Sequence, residues 1–304
     1  MKHFFSSFLF LALFSVASWA QTEAADQYTP TAEENSLLWE ISGSDLEQPS
    51  YLFGTIHMIG KKDFFLTDKM KSSFEKTSQV AFEIDMEEMS DFSTLMPLMM
   101  KTFMADGTTL SDLISDEEYK LVKGHFEDIG LPMMLLDRIK PMFLSAMTSG
   151  DMLGTGNDEQ DAMVSYEMEL MKMAQEQEKE INGLETAEFQ MSMFDSIPYD
   201  AQAQMLVESI KSGQEGDDQF EEMVEMYKNQ DIYRMQTMLA DEDEGISGYE
   251  DILLAGRNRN WIPIMADMMS QNPTFFAVGA GHLGGKVGVI ALLRQKGYEV
   301  KAIK

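Results

Sequence analysis

Short apolar runs of strand length gather at the two ends of the chain, and between them apolar residues recur every three or four positions. Near the start, Leu37-Leu38-Trp39-Glu40-Ile41 and Ser50-Tyr51-Leu52-Phe53 read as strands. The segment between them holds Gly43, Ser44 and Asp45, so a hairpin is expected. Helical spacing continues over 68–78. The run Gln79-Val80-Ala81-Phe82 then ends in Glu83-Ile84-Asp85, as a buried strand would. From about 87 to 178 the pattern is helical, and its clearest stretch, 158–178, spaces Met163, Tyr166, Leu170 and Met173 by three or four. Residues 180–185 return to strand and 186–239 to helix. After an acidic break at 241–245 come a helix carrying 257–269, a strand over 274–278, a helix over 287–296 and, past Gly297, a last strand over 298–303. This distribution implies an α/β fold. A mixed central sheet forms from both ends of the chain, flanked by helices, with a helical insertion at about 87–178. No boundary divides 37–304, so one domain is expected.

The first residues change the picture only at the margin. Lys2 and His3 precede an apolar run over 4–17, and Ser18-Trp19-Ala20 offers a small-x-small cleavage site. Residues 1–20 therefore read as an export signal, and the polar 21–36 as a flexible lead-in. No later stretch reaches the roughly 18 apolar residues of a membrane helix. The mature protein is expected to be periplasmic or secreted, without stable membrane insertion. With no cysteine, a lipobox, disulfides and thiolate zinc sites are all excluded. The chain has 52 acidic and 23 basic residues, a net charge of −29. Such a surface repels nucleic acid, whose phosphates need clustered Lys and Arg.

Candidate chemistry centres on histidine. Beyond His3, the chain has His57, His125 and His282. Two of them close Gly-x-x-His elements, Gly54-Thr55-Ile56-His57 and Gly279-Ala280-Gly281-His282, each after an aromatic-rich strand that begins just past a proline. Glycine at a strand end permits a sharp turn or a close approach. Ligands of open α/β sheets bind beyond the carboxyl ends of the strands, where an imidazole can bind a metal or move a proton. The alternative is a pair of structural histidines capping strand ends. Glu83 closes an apolar run, where a carboxylate is costly unless a metal, an Arg or a proton compensates it. Glu185 has the same setting, or else simply starts the next helix. Arg257, in Arg257-Asn258-Arg259-Asn260-Trp261, can clamp an oxyanion or bridge to nearby acids. His125 reads as surface. The 28 methionines read as adaptable core filling of the helical insertion, with a flexible apolar groove and a soft-metal (copper) site as the alternatives.

The motifs Phe53-Gly54-Thr55-Ile56-His57, Phe82-Glu83-Ile84-Asp85, Gly183-Leu184-Glu185-Thr186 with Gln190, Arg257-Asn258 with Trp261, and Val278-Gly279-Ala280-Gly281-His282-Leu283 succeed one another in an order that resembles TraB/GumN proteins. The chain departs from that pattern at Gly256, where an acidic residue often precedes the Arg-Asn pair. The resemblance implies a mixed α/β fold shared with the Tiki metalloproteases and similar to erythromycin esterase-like hydrolases. It also implies an active centre of the two histidines and the strand-end glutamates. On that footing the expectation is a metal-dependent hydrolase, most readily a peptidase. His57, Glu83 and His282 would hold Mn²⁺, Co²⁺ or Zn²⁺, and Glu185 would serve as base or further ligand. Arg257 would steady the oxyanion, and Gly54, Gly279 and Asn258 would shape the site. The alternatives are an esterase-like hydrolase without metal and a non-catalytic binder of a small ligand, metal or haem. A third is an export-pathway accessory factor. The substrate, peptide or small molecule, is not legible.

Overall fold

The computed structural model describes residues 28–85, 92–148, 162–212, 214–239 and 248–304. Its strands are β1 (Leu38–Ser42), β2 (Ser50–Thr55), β3 (Ile59–Gly60), β4 (Gln79–Ile84), β5 (Met163–Val164), β6 (Glu180–Glu185), β7 (Thr274–Gly279) and β8 (Glu299–Ala302). Six of them form one mixed sheet in the order β6-β4-β7-β2-β1-β8, and β3 pairs with β5 apart from it. The expected hairpin is present: β1 runs antiparallel to β2, with Gly43, Ser44 and Asp45 in left-handed backbone at its turn. On its other side β1 pairs antiparallel with β8, so the two ends of the chain close one edge together.

The remaining neighbours, β2-β7, β7-β4 and β4-β6, are parallel. Every residue of β2 is buried, as are all but the last of β4 and β7. That is the burial of strands covered by helices on both faces, and it accounts for the continuous apolar runs in the sequence. Phe53, Phe82, Phe275 and Phe276 are at most 1% exposed. Each such side chain contributes about 1.5–3 kcal/mol on burial.

Connectivity fixes where a site can form. From β4 the chain leaves through the helical region to β6 on one side. From β7 it leaves through the helix Val289–Gln295 to β8 on the other side. Adjacent strands whose continuations part in this way open a crevice at their carboxyl ends. That crevice lies between the end of β4, which carries Glu83, and the end of β7, which carries Gly279.

Two boundaries differ from expectation. The helix expected over 158–178 runs from Tyr166 to Glu176, because the Ser165 hydroxyl accepts the Met168 N–H and caps its start. Met163 and Val164 pair instead with Gly60 and Ile59. The helices expected over 186–239 pack on the insertion: a second apolar core joins Leu110, Val122, Phe126 and Leu144 to Ala203, Leu206 and Val207 of the helix Tyr199–Ser212. At the start, residues 28–36 of the expected lead-in are tied to the far end of the chain. Arg294 donates to Glu34 and to the Tyr28 carbonyl, and buried Ser36 donates to the Ile303 carbonyl. The expected signal at 1–20 and the acidic break at 241–245 lie outside the described residues. Among the described residues no helix is long and apolar enough to cross a membrane.

Candidate active site

Each of the four parallel strands delivers one expected residue to the same rim. Glu83 is next to last in β4, Glu185 ends β6, His57 lies two residues past β2, and Gly279 ends β7 ahead of a short 3₁₀ turn, Ala280–His282. Thr186 explains why β6 stops at Glu185. Its hydroxyl accepts the Phe189 N–H and caps the helix Ala187–Phe194, whose Gln190 donates back to Glu83 Oε2 at 3.2 Å.

Arg257 is the centre of the arrangement. It sits in the first turn of the helix Gly256–Gln271, one turn before Trp261, so both side chains point the same way. Its Nε and Nη2 donate to Glu185 Oε1 at 3.0 and 2.6 Å, and Nη2 also donates to Glu83 Oε2. The other Glu185 oxygen accepts from the Trp261 indole at 3.0 Å. Both Glu185 oxygens are thus engaged, and the residue acts in this geometry as the group that aims Arg257. The guanidinium also lies over the Trp261 ring, 4.9 Å from its centroid.

The helix enters through a wide π-type turn at Asp251–Ala255. A Cβ on Gly256 would sit 2.7 Å from the Asp251 carbonyl oxygen. The departure from the family pattern at this position therefore has a steric reason.

His282 is 4% exposed and packs against Trp261, with ring centroids 4.5 Å apart. Its Nδ1 lies 2.6 Å from Asn258 Oδ1. The Asn258 amide nitrogen donates to the Val287 carbonyl at 2.9 Å, so its oxygen is the end that faces the ring. An amide oxygen only accepts; Nδ1 therefore carries the proton, and Nε2 presents a lone pair. That nitrogen faces Arg257 Nη1 at 3.1 Å and Glu83 Oε1 at 3.7 Å. Burial lowers the His282 pKa to about 4, with Arg257 and His57 adding to the effect and Glu83 opposing it. His282 is neutral at neutral pH. For Glu83, burial pushes upward but is outweighed by its interaction with His282, by the positive charges of Arg257 and His57 and by the Gly279 N–H, which donates to Oε1 at 2.8 Å. Its pKa is held down at about 2. A Cβ on Gly279 would lie 3.2 Å from that same oxygen, so glycine here admits the carboxylate.

Gly54 serves packing between the two motifs. A Cβ there would meet Leu283 Cδ2 at 2.9 Å and the Ala280 Cα at 3.1 Å, so one Gly-x-x-His element rests on the other. Tyr227, itself buried, donates to the Gly54 carbonyl at 3.0 Å.

His57 stands apart from this cluster. Its side chain is 75% exposed, and Nδ1 lies 3.2 Å from Glu167 Oε1, which also accepts from the Thr55 hydroxyl at 2.7 Å. The bond to Glu167 raises its pKa to about 9 against opposing burial, with water on the open face of the ring screening that pull. His125 lies in the last turn of the helix Asp116–Asp128, outside the site.

The structure thus brings Glu83, Glu185, Arg257, Asn258, Gly279 and His282 together and sets His57 at the rim. Sequence reasoning missed Glu167 and Thr55. Glu167 is one of 52 acids, and its only local signal is its place after Ser165 in a first helical turn, a position any acid favours. A separate cavity of about 130 Å³ behind Asn258 is bounded by the glycine-rich loop at 284–288 and has neither His57 nor Glu83 in its wall.

The fold and this strand-end cluster define a mixed α/β protein with a buried polar centre at the carboxyl ends of its parallel strands. The chain belongs to the TraB/PrgY/gumN family, whose profile matches residues 37–302. It is similar to metalloprotease TIKI1 of Danio rerio, with 24% identity over 331 residues covering 90% of this chain and 64% of that protein. It is similar also to metalloprotease TIKI1 of Homo sapiens (24%; 89% and 62%) and to the metalloprotease TIKI homolog of Nematostella vectensis (21%; 93% and 70%). The chain spans less than two thirds of the length of the Danio rerio and Homo sapiens proteins. No solved structure matches it.

Whether a divalent ion fits is a question of geometry. Imidazole and carboxylate are suitable donors for Mn²⁺, Co²⁺ or Zn²⁺. In the arrangement present, however, the Arg257 guanidinium stands on both Glu83 Oε2 and His282 Nε2, and His57 turns to Glu167. Among the described residues no group of three or more His, Cys, Asp or Glu is arranged to hold an ion. The expected set of His57, Glu83 and His282 is therefore not assembled as a metal site. Arg257 occupies the position of the compensating cation.

Proposed function

We propose that this protein is an exported, metalloprotease-like hydrolase that cleaves a carbonyl-centred bond, a peptide bond foremost, at the carboxyl ends of β4 and β7. One observation carries the reading: a buried, neutral His282 whose Nε2 lone pair is fixed by Asn258 and set between Glu83 and Arg257. In this role the Arg257 Nη1–H turns from His282 Nε2 to the substrate carbonyl oxygen, and the freed Nε2 takes the proton of an attacking water and returns it to the leaving group as the scissile bond breaks, a task typically worth 10²–10⁴ in rate. Glu83 stabilises the imidazolium that forms, and Arg257, aimed by Glu185, supplies positive charge to the developing oxyanion. His57 adds a second positive charge at the rim. The acidic surface disfavours nucleic acid as substrate.

The test is cleavage of a fluorogenic peptide library by the wild type and by His282→Ala, in chelator and with added Mn²⁺, Co²⁺ or Zn²⁺. Loss of cleavage in a folded His282→Ala protein supports the assignment, and full activity there refutes it. The metalloprotease names of the relatives favour a second reading, in which Glu83 and His282 would hold a divalent ion in place of their contacts with Arg257, and the ion would polarise the scissile carbonyl. Chelator-sensitive cleavage with stoichiometric metal selects that reading. Chelator-insensitive cleavage selects the histidine-based one.

A further inference from the structure

The segment that carries His57 is pinned more firmly than an exposed histidine requires. Just beyond it β3 pairs with β5, Ile59 opposite Val164 and Gly60 opposite Met163, and the Lys61 N–H donates to the Ala162 carbonyl at 2.8 Å. This ladder brings Ser165, Tyr166 and Glu167, at the start of the helix Tyr166–Glu176, against the His57 turn. Tyr166 is buried there, its ring centroid 4.6 Å from that of Phe64 and 5.4 Å from that of Tyr227. Its hydroxyl donates to the Phe65 carbonyl at 2.8 Å, and Tyr227 holds the Gly54 carbonyl. The chain is thus fixed on both sides of His57.

Glu167 completes the set. Its side chain is 14% exposed, and both oxygens are engaged. Oε1 accepts from the Thr55 hydroxyl at 2.7 Å and lies 3.2 Å from His57 Nδ1, while Oε2 accepts from the Ser165 hydroxyl at 3.1 Å. Thr55 and Ser165 therefore stop the carboxylate from turning, and the carboxylate stops the ring. A carboxylate only accepts, so Nδ1 carries a proton that is spent on this bond. Nε2, across the ring, is what His57 has left to offer a ligand, and among the described residues no group bonds it. Ordering an exposed side chain costs rotamer freedom, which a ligand for that nitrogen would repay. The ring stands past the end of β2, whose Thr55 pairs with Gly279, the residue whose N–H holds Glu83. The charge of His57 is felt at both Glu83 and His282.

We propose that Glu167 is a positioning residue of the active site, aiming His57 Nε2–H at a backbone carbonyl of a bound peptide beside the scissile bond. That carbonyl does not react, so its hydrogen bond is made alike in substrate and transition state and is expressed in KM rather than kcat. The carbonyl contact rests on the hydrolase reading, whereas the orientation of the ring stands without it.

Two measurements keep these separable. In proton NMR at neutral pH, a ring Nδ1–H protected from exchange, assigned by its loss in His57→Ala, is expected in wild type. It should vanish in Glu167→Ala and persist in Glu167→Gln, which keeps an acceptor. Kinetics on a fluorogenic peptide cleaved by the wild type then compare Glu167→Ala, His57→Ala and the double variant. Glu167→Ala should raise KM about tenfold with kcat changed less than about twofold, and Glu167→Gln should recover most of that loss. The double variant should be no worse than His57→Ala alone. If Glu167→Ala loses its thermal transition, Glu167→Met takes its place.

A protected Nδ1–H that persists in Glu167→Ala overturns the proposal, as does an unchanged KM in that variant. So does an additive loss in the double variant, because Glu167 would then act other than through His57. A loss confined to kcat refutes the contact with an unreacting carbonyl. If the wild type cleaves nothing in any condition, the hydrolase reading and the carbonyl contact fall together, and the ring signal alone decides whether Glu167 positions His57. Full cleavage by His282→Ala with a raised KM in Glu167→Ala refutes the His282 assignment and leaves the role of Glu167 standing.

Discussion

The two Gly-x-x-His elements are alike in sequence and lie on adjacent parallel strands, yet their histidines have opposite physical characters. His282 is buried against Trp261, neutral, and fixed in one tautomer by Asn258. His57 is exposed, cationic, and held by Glu167. The difference comes from the path of the chain beyond each glycine. After Gly279 the chain winds into a tight turn beneath the helix Gly256–Gln271, whereas after Gly54 it continues through the last residue of β2 toward the outlying pair β3-β5. Like motifs therefore supply unlike parts: one a buried, neutral imidazole inside the cluster, the other an exposed imidazole paired with a carboxylate at its rim.

Several measurements would break or sharpen that contrast. The largest effect is expected at the cation that the His282 side depends on. Arg257→Met leaves Glu83 and Glu185 buried without compensation and should cost about 3–5 kcal/mol of stability, read as a drop in the urea midpoint. A second substitution, Glu185→Gln, should restore part of it. An unshifted midpoint would mean that Arg257 is not the compensating charge. Next is His282→Ala, which should lower hydrolysis about 10³-fold while the protein stays folded. His57→Ala should fall short of that, and equal losses would erase the division of roles. Gly54→Ala, which forces a methyl group against Leu283 and Ala280, should cost about 1–3 kcal/mol. A thermal midpoint matching the wild type would show that the two motifs do not rest on each other.

The smallest effects are in pH dependence, and they have opposite signs. His57 has a folded pKa raised to about 9 from 6.5, so its stabilising contribution is complete below 6.5 and lost as pH rises through 9. The advantage of wild type over His57→Gln should fade across that window. His282 has its folded pKa lowered to about 4. As pH falls from 6.5 toward 4, the unfolded chain binds a proton that the native site refuses, and stability declines. His282→Gln should remove that decline. Imidazole NMR titrations read the same contrast directly, and coincident midpoints for the two rings would remove it.

Much of the fold was legible in the sequence because periodicity reports burial. Residues in β2, β4 and β7 are covered on both faces, so they appear as unbroken apolar runs, and Glu83 and Glu185 were visible because each interrupts or ends a strand. The start of the helix at Tyr166 was less legible. Met163 fits helical spacing as well as it fits a strand, and only pairing with β3 decides between them. The expected export signal and the acidic break lie outside the described residues.

By itself the sequence determined which residue types stand at the strand ends: two histidines after glycines, two carboxylates and one arginine with its neighbouring asparagine. Local spacing encodes that much, since strand, turn and cap are short-range matters. Only the tertiary structure decided what those residues are to one another. Glu83 and His282 meet because β4 and β7 are neighbours although about 200 residues separate them. Arg257 takes the centre because its helix crosses that junction. His57 is left to Glu167, a partner from the helical insertion that no spacing in the sequence marks. Contacts of that range depend on the order of strands in the sheet, and that order is set by packing the whole chain at once.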